Sequence, residues 1–232
     1  MDRNGSYYED IFENKQKKLK LENRISKNCK HPNVIRSYNV YEFMDKSANV
    51  FINATLMDKC QLPNLRKFIN LSQITKSFLN PNFKDTGKII DESSKEYLNI
   101  YLIQQIISAL EYLHRHELIH FDFKPDNILL SNYFNVKISD FSLTDLIAQF
   151  RKENQCDQKT FQIRGGTEDY LSPEYYENGR IRNIYAFTVD IFPLACIIFL
   201  LYTGKKLFCK KEEMKESIKD NYAYLYECKH WN

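Results

Sequence analysis

Residues 118–130, LIHFDFKPDNILL, constrain this chain more than any other stretch. They read as the end of one strand, a tight polar loop and a second short strand. Asp122, Lys124, Asp126 and Asn127 crowd into the loop, and the apolar runs Leu118-Ile119 and Ile128-Leu129-Leu130 close it on both sides. A solvated turn has no need of so much charge pinned between buried strands, whereas phosphoryl transfer does. That reaction requires a carboxylate to take up a hydroxyl proton, a cation to steady the moving group and an amide oxygen to hold a metal. The plainer alternative is a polar hairpin that carries these residues by coincidence. Three further motifs, in a fixed order, weigh against it.

In VKISDFSL, residues 136–143, Val136 and Ile138 alternate with Lys137 and Ser139, a strand pattern that delivers Asp140 to a turn. GGTEDYLSPE follows at 165–174, and TVDIFPLACIIFLLYTGKKLF at 188–208. Ile191–Tyr202 is an apolar run broken by Pro193. It is shorter than the roughly 20 residues of a membrane span and suits a buried core helix. Together the four strings resemble the protein kinase domain, in its serine/threonine branch. The loop is similar to H-R-D-L-K-P-x-N, the second string to Asp-Phe-Gly and the third to G-T-x-x-Y-x-A-P-E. The resemblance implies that His120 anchors the loop, Asp122 is the catalytic base, Lys124 faces the phosphate, and Asn127 and Asp140 hold magnesium. It also implies that Thr167 contacts the loop's aspartate and lysine, that Asp190 braces the loop backbone, and that Glu174 pairs with a distant arginine.

Upstream, CKHPNVIRSYNVYEF (29–43) resembles the connection from a regulatory helix into the fourth strand, and VFINATLMDKCQLPNLRKFI (50–69) a strand with gatekeeper and hinge. In that register Met57 is the gatekeeper, the backbone of Asp58, Lys59 and Cys60 holds adenine, and Leu129 is the floor beneath it. An edge strand with an exposed turn is the plainer reading. Residues 95–116 carry apolar side chains at 98, 102, 106, 109, 110 and 113, the spacing of a core helix. HPNVIR with GTEDYLSPE is similar to one branch in particular, the unfolded-protein-response kinase-endoribonucleases.

The departures from the pattern carry information too. Ser142 stands where the third motif residue is glycine, and serine does not take positive φ cheaply. Ser172 replaces alanine, and Phe121 replaces the loop arginine that pairs with an activation-segment phosphate. No arginine follows Arg182 to pair with Glu174. Neither the glycine-rich loop nor the third-strand lysine of the family is present. The regulatory helix is expected from about residue 8 to about residue 28, with Glu22 nine residues before His31 at the place of the lysine's partner. Three strands with turns need about 25 residues, more than precede that helix.

Composition agrees with a globular enzyme: 232 residues, a mixed net charge of +3, and six cysteines with no C-x-x-C pair, the pattern of free thiols in a reducing compartment. The polar N-terminus shows no signal peptide. The expectation is therefore an α+β, kinase-like, two-lobe fold with an incomplete small β lobe over residues 1–60 and a mainly helical large lobe over 61–232. ATP and Mg2+ are the implied cofactors, and a protein serine or threonine the implied acceptor. No nucleic-acid partner and no membrane span are expected, and the location is cytoplasmic. The alternative is a pseudokinase scaffold that binds ATP weakly or not at all.

Overall fold

The structure, a computed structural model, describes residues 20, 22–45, 50–74, 92–146, 160–162, 165–177, 180–182, 186–208 and 213. Residues 22–28 are helical. Two antiparallel strands follow, β1 (Ser37–Asp45) and β2 (Val50–Met57), in register with Val40 opposite Thr55 and Phe43 opposite Ile52. Helix α1 (Leu65–Ile74) and the long helix α2 (Glu92–Arg115) open the second half. Short strands come next: β3 (Leu118–Ile119), β4 (Ile128–Leu130), β5 (Val136–Ile138) and β6 (Asp145–Leu146). After them lie β7 (Thr160–Gln162), α3 (Pro173–Glu177), β8 (Arg180–Arg182) and α4 (Thr188–Thr203). Among the described residues the strands form four antiparallel pairs, β1–β2, β3–β6, β4–β5 and β7–β8.

The large core forms where the helical and strand periodicities meet. Leu102, Ile106, Ala109 and Leu113 of α2 are fully buried, as the i, i+4, i+7 spacing dictates. They share one cluster with Ile197, Leu200 and Leu201 of α4 and with Ile128, Leu130, Val136 and Ile138 of the β4–β5 pair. Each such side chain contributes about 1.5–3 kcal/mol by leaving water. Helix α4 runs on through Pro193 and ends at Gly204, whose φ of 71° allows its amide to reach the Leu200 carbonyl at 2.8 Å. The helix expected over 95–116 is observed over 92–115. Of the helix expected over about 8–28, residues 8–19 and 21 lie outside the described residues.

The turn at 30–36 joins the two halves. The Ile35 amide donates to the Ile138 carbonyl and the Ile138 amide to the Asn33 carbonyl, both at 2.8 Å. Asn33 Nδ2 donates to Gln105 of α2 at 2.9 Å and to the Val136 carbonyl at 3.1 Å, and His31 stacks on Tyr112. The HPNVIR string thus forms a buried joint. No helix of the described residues is long and apolar enough to cross a membrane.

Candidate active site

A buried carboxylate shapes the polar loop from below. Asp190, in the first turn of α4, is fully enclosed. It accepts the His120 amide at 2.8 Å, the Phe121 amide at 3.0 Å and His114 Nε2 at 3.0 Å. The first two bonds hold the chain as it leaves β3. Phe121 sits there at φ 65°, a costly conformation for a bulky residue unless its surroundings enforce it. Its ring supplies part of that enforcement by burial with Ile119, Ala186 and Val189, against which Leu143, Tyr175 and Phe187 pack. His120 is also fully buried, edge-on to Phe123, and its Nε2 donates to the Ser139 carbonyl at 3.1 Å. That bond ties the loop to the strand bearing Asp140.

Asp122, Lys124 and Asn127 converge above this base. Asp122 Oδ1 accepts the Thr167 hydroxyl at 2.7 Å and the Thr167 amide at 3.0 Å. Its Oδ2 accepts Lys124 Nζ at 2.6 Å and Asn127 Nδ2 at 3.3 Å. Lys124 Nζ donates as well to the Thr167 hydroxyl at 2.8 Å. Burial pushes the Asp122 carboxyl upward, but the Lys124 and Thr167 hydrogen bonds and the Lys124 charge outweigh it and hold the group below the usual aspartate value. Asn127 spends its amide on Asp122, 2.9 Å to the carbonyl, while its own carbonyl accepts the Ser139 amide at 2.9 Å and hydroxyl at 3.0 Å.

Asp140 follows directly. It is exposed and adopts φ 64°, and its Oδ1 accepts the Ser142 hydroxyl at 2.6 Å and amide at 3.3 Å. The left-handed residue is therefore Asp140 and not Ser142, so serine at 142 carries no backbone penalty and instead caps the aspartate. The exposed carboxylate of Asp140 and the amide oxygen of Asn127 are hard oxygen donors. Such a sparse set suits Mg2+, which keeps several waters and shares its shell with phosphate oxygens. Among the described residues no cluster of three or more histidine, cysteine or acidic side chains forms a closed metal cage. Glu22 comes from the other half: burial and then the Asp140 charge raise its carboxyl above the ordinary value. Among the described residues no cation pairs with it.

Met57 ends β2, and Asp58 and Cys60 follow it outside any helix or strand. The Asp58 amide is spent on the Arg36 carbonyl at 2.9 Å. Its carbonyl and the Cys60 amide carry no hydrogen bond among the described residues, so an edge of acceptor and donor stands open. The Leu62 amide donates to the Leu130 carbonyl at 3.1 Å, which brings this segment beside half-buried Leu129. The Asp58 side chain points elsewhere, to Tyr38 Oη at 2.6 Å and Lys137 Nζ at 3.9 Å.

Beyond Asp140 the chain returns as GGTEDYLSPE. A Cβ at Gly166 (φ 146°) would lie 2.6 Å from the Phe121 carbonyl oxygen, so only glycine lets Thr167 reach Asp122. Arg66 of α1 bridges this segment to the loop: it bonds the Tyr170 hydroxyl, faces that ring and pairs with Asp126 at 3.5 Å. Neither Arg66 nor Tyr170 stood out in the sequence, because a single arginine on an amphipathic helix looks like surface. Glu174 accepts the Thr188 hydroxyl at 3.4 Å on one oxygen, while the other is buried without a partner among the described residues.

A family model, the protein kinase domain, matches residues 7–231. The chain is 28% identical over 222 residues to the serine/threonine-protein kinase polo of Drosophila melanogaster, covering 95% of this chain and 31% of that protein. It is 29% identical over 218 residues to the Aurora kinase of Saccharomyces cerevisiae (94% and 48%). It is 29% identical over 186 residues to CBL-interacting protein kinase 33 of Oryza sativa subsp. japonica (80% and 34%). The chain thus spans less than half the length of these relatives. They lend no support to the narrower likeness to kinase-endoribonucleases. The chain belongs to the protein kinase domain family, with serine/threonine kinases as its relatives.

Proposed function

We propose that the protein transfers the γ-phosphoryl group of ATP to a serine or threonine hydroxyl of a protein substrate, with magnesium as the cofactor. The observation that carries this reading is the Asp122 carboxylate, held ionised between Lys124 and Thr167. Asp122 orients the acceptor hydroxyl and takes its proton as the oxygen attacks. Lys124, already 2.6 Å from Asp122, steadies the negative charge of the phosphoryl in flight. Asn127 and Asp140 present the oxygens that hold the metal, which when bound neutralises charge on the phosphate oxygens. The open Asp58 carbonyl and Cys60 amide receive the adenine edge, with Met57 at its back and Leu129 beneath it. In this reading residues 1–60 and 61–232 are the small and large lobes.

The test is Asp122→Asn in the full-length protein. Turnover is expected to fall to background with the melting temperature nearly unchanged, because the carboxylate acts mainly in the transition state. Phosphoamino-acid analysis is expected to return serine or threonine, and tyrosine alone would overturn the roles given to Lys124 and Thr167. One observation favours a second reading, a pseudokinase scaffold: Glu22 has no cation partner among the described residues and is left facing Asp140. Full-length protein without detectable transfer would favour that scaffold, whereas equal turnover in Asp122→Asn would remove Asp122 from the role of base.

A further inference from the structure

Between the 27–38 segment, Asp58 and Lys137 lies a cavity of about 540 Å3. Lys27, Lys30, Arg36 and Lys137 line it, and among the described residues Asp58 is its only carboxylate. Lys27, Lys30 and Arg36 are exposed, and no carboxylate among the described residues pairs with them. Lys137 is shared with Asp58 at a loose 3.9 Å. The Arg36 guanidinium lies over the Tyr38 ring, 5.1 Å from its centre, which fixes the direction of the charge. His31 adds no charge at neutral pH, since burial and then the Lys137 cation hold its imidazole below the ordinary value. The chain as a whole carries only +3, with 33 basic against 30 acidic residues. Four cations against one anion in a single cavity is therefore a local excess that the average composition does not account for.

We propose that this cavity is a docking site for an acidic peptide segment of a partner protein. Its volume falls within the 300–1,000 Å3 or so usual for ligand sites and exceeds what one phosphate would fill. A second cavity of about 290 Å3 shares Asp58 and Lys137 with it and runs on past Gln61 and Asn135. The two adjoin at Asp58 and Lys137, the first as a basic half and the second, which also carries Lys59, as an amide-bearing half. An extended peptide fits both halves, placing carboxylates against Lys27, Lys30 and Arg36 and backbone groups against the amides. Nucleic acid fits less well, because its binders carry a basic stripe along the domain, whereas the four cations here line one recess together with a carboxylate. Docking at this face leaves Asp122 and Lys124 free, and the site stands independently of whether the chain transfers phosphate.

Fluorescence anisotropy of the full-length protein with a fluorescein-labelled, glutamate-rich peptide tests the proposal. Saturable binding that weakens as salt rises is expected. Lys30→Ala combined with Arg36→Ala should weaken it about tenfold or more, since each removes a charge-assisted contact. Arg36→Lys should retain most of the affinity, and both variants should melt as the parent does because the altered side chains are exposed. Absence of saturable binding at low salt, or equal affinity in the double variant, would overturn the proposal. So would a single-stranded oligonucleotide of equal charge that displaces the peptide at lower concentration, which would assign the groove to nucleic acid.

Discussion

Asp122 accepts four hydrogen bonds at its carboxylate, from Thr167 twice, Lys124 and Asn127. Its folded pKa lies below the unfolded value, so these bonds stabilise the fold above the unfolded pKa, and the gain is lost as pH falls through the folded one. Thr167→Ala removes one of the bonds to the charged form and must raise that pKa. The acid limb of kcat/KM is expected to move to higher pH, and a pH–rate profile of the full-length variant reads it. Gly166→Ala is a harsher change. Its methyl would meet the Phe121 carbonyl at 2.6 Å on a φ of 146°. A loss of about 1–3 kcal/mol is expected, seen as a drop of several degrees in melting temperature. An unchanged Tm would show that the segment can shift away from the loop.

Elements reach the site by different routes. Helix α4 brings Asp190 under the loop, while β3 and β4 hold its two ends. Around Phe121 the site of the family arginine has become apolar, with Ile119, Ala186 and Val189 buried against the ring. Leu143 and Tyr175 pack against this same cluster. Restoring the family residue with Phe121→Arg should destabilise the protein by about 3–5 kcal/mol, because the new charge is buried without a partner. Thermal unfolding of the variant is the measurement, with a fall of roughly 10 °C expected. The β1–β2 ribbon shows the opposite condition: Tyr41 and Phe43 are each about half exposed. A two-stranded ribbon with aromatic side chains in water is marginal by itself, and here it relies on the 30–36 joint to the large core.

At the scale of the whole molecule, Glu22 and Asp140 bring like charges together from the two halves. The folded pKa of Glu22 is raised. Its share of stability is therefore full below the unfolded pKa and is lost as pH rises through the folded value. Glu22→Gln should raise the melting temperature at neutral pH and leave it unchanged in acid, and a pair of melts at the two pH values decides. The same vacancy of positive charge bears on nucleotide binding. A lost charge-assisted contact costs ~1.5–3 kcal/mol, so one or two of them weaken MgATP binding by roughly 10- to 10,000-fold. Calorimetry on residues 1–232 is expected to show weak, magnesium-dependent binding. Micromolar affinity would mean that another cation reaches the phosphates.

The loop at 118–130, the helices α2 and α4 and the strand before Asp140 were all legible in the sequence, since each is written in a local pattern of spacing or charge. The partners of Asp122 were legible too, through strings that stand close together or in fixed order. Other features were decided only when distant segments packed. Arg66 reaches Tyr170, 104 residues on, and also pairs with Asp126, Gly166 lies against the Phe121 carbonyl, and β7 pairs with β8, Thr160 opposite Arg182. The left-handed backbone at Asp140, where Ser142 was the residue in question, also depends on the fold. The basic groove is of the same kind, with Lys27, Arg36 and Lys137 contributed by a helix end, a turn and a strand. Periodicity records which face of an element avoids water, but it does not record which neighbour covers that face. Close approach, a trapped charge and a lone oxygen are properties of pairs, and the pairs exist only once the core has closed.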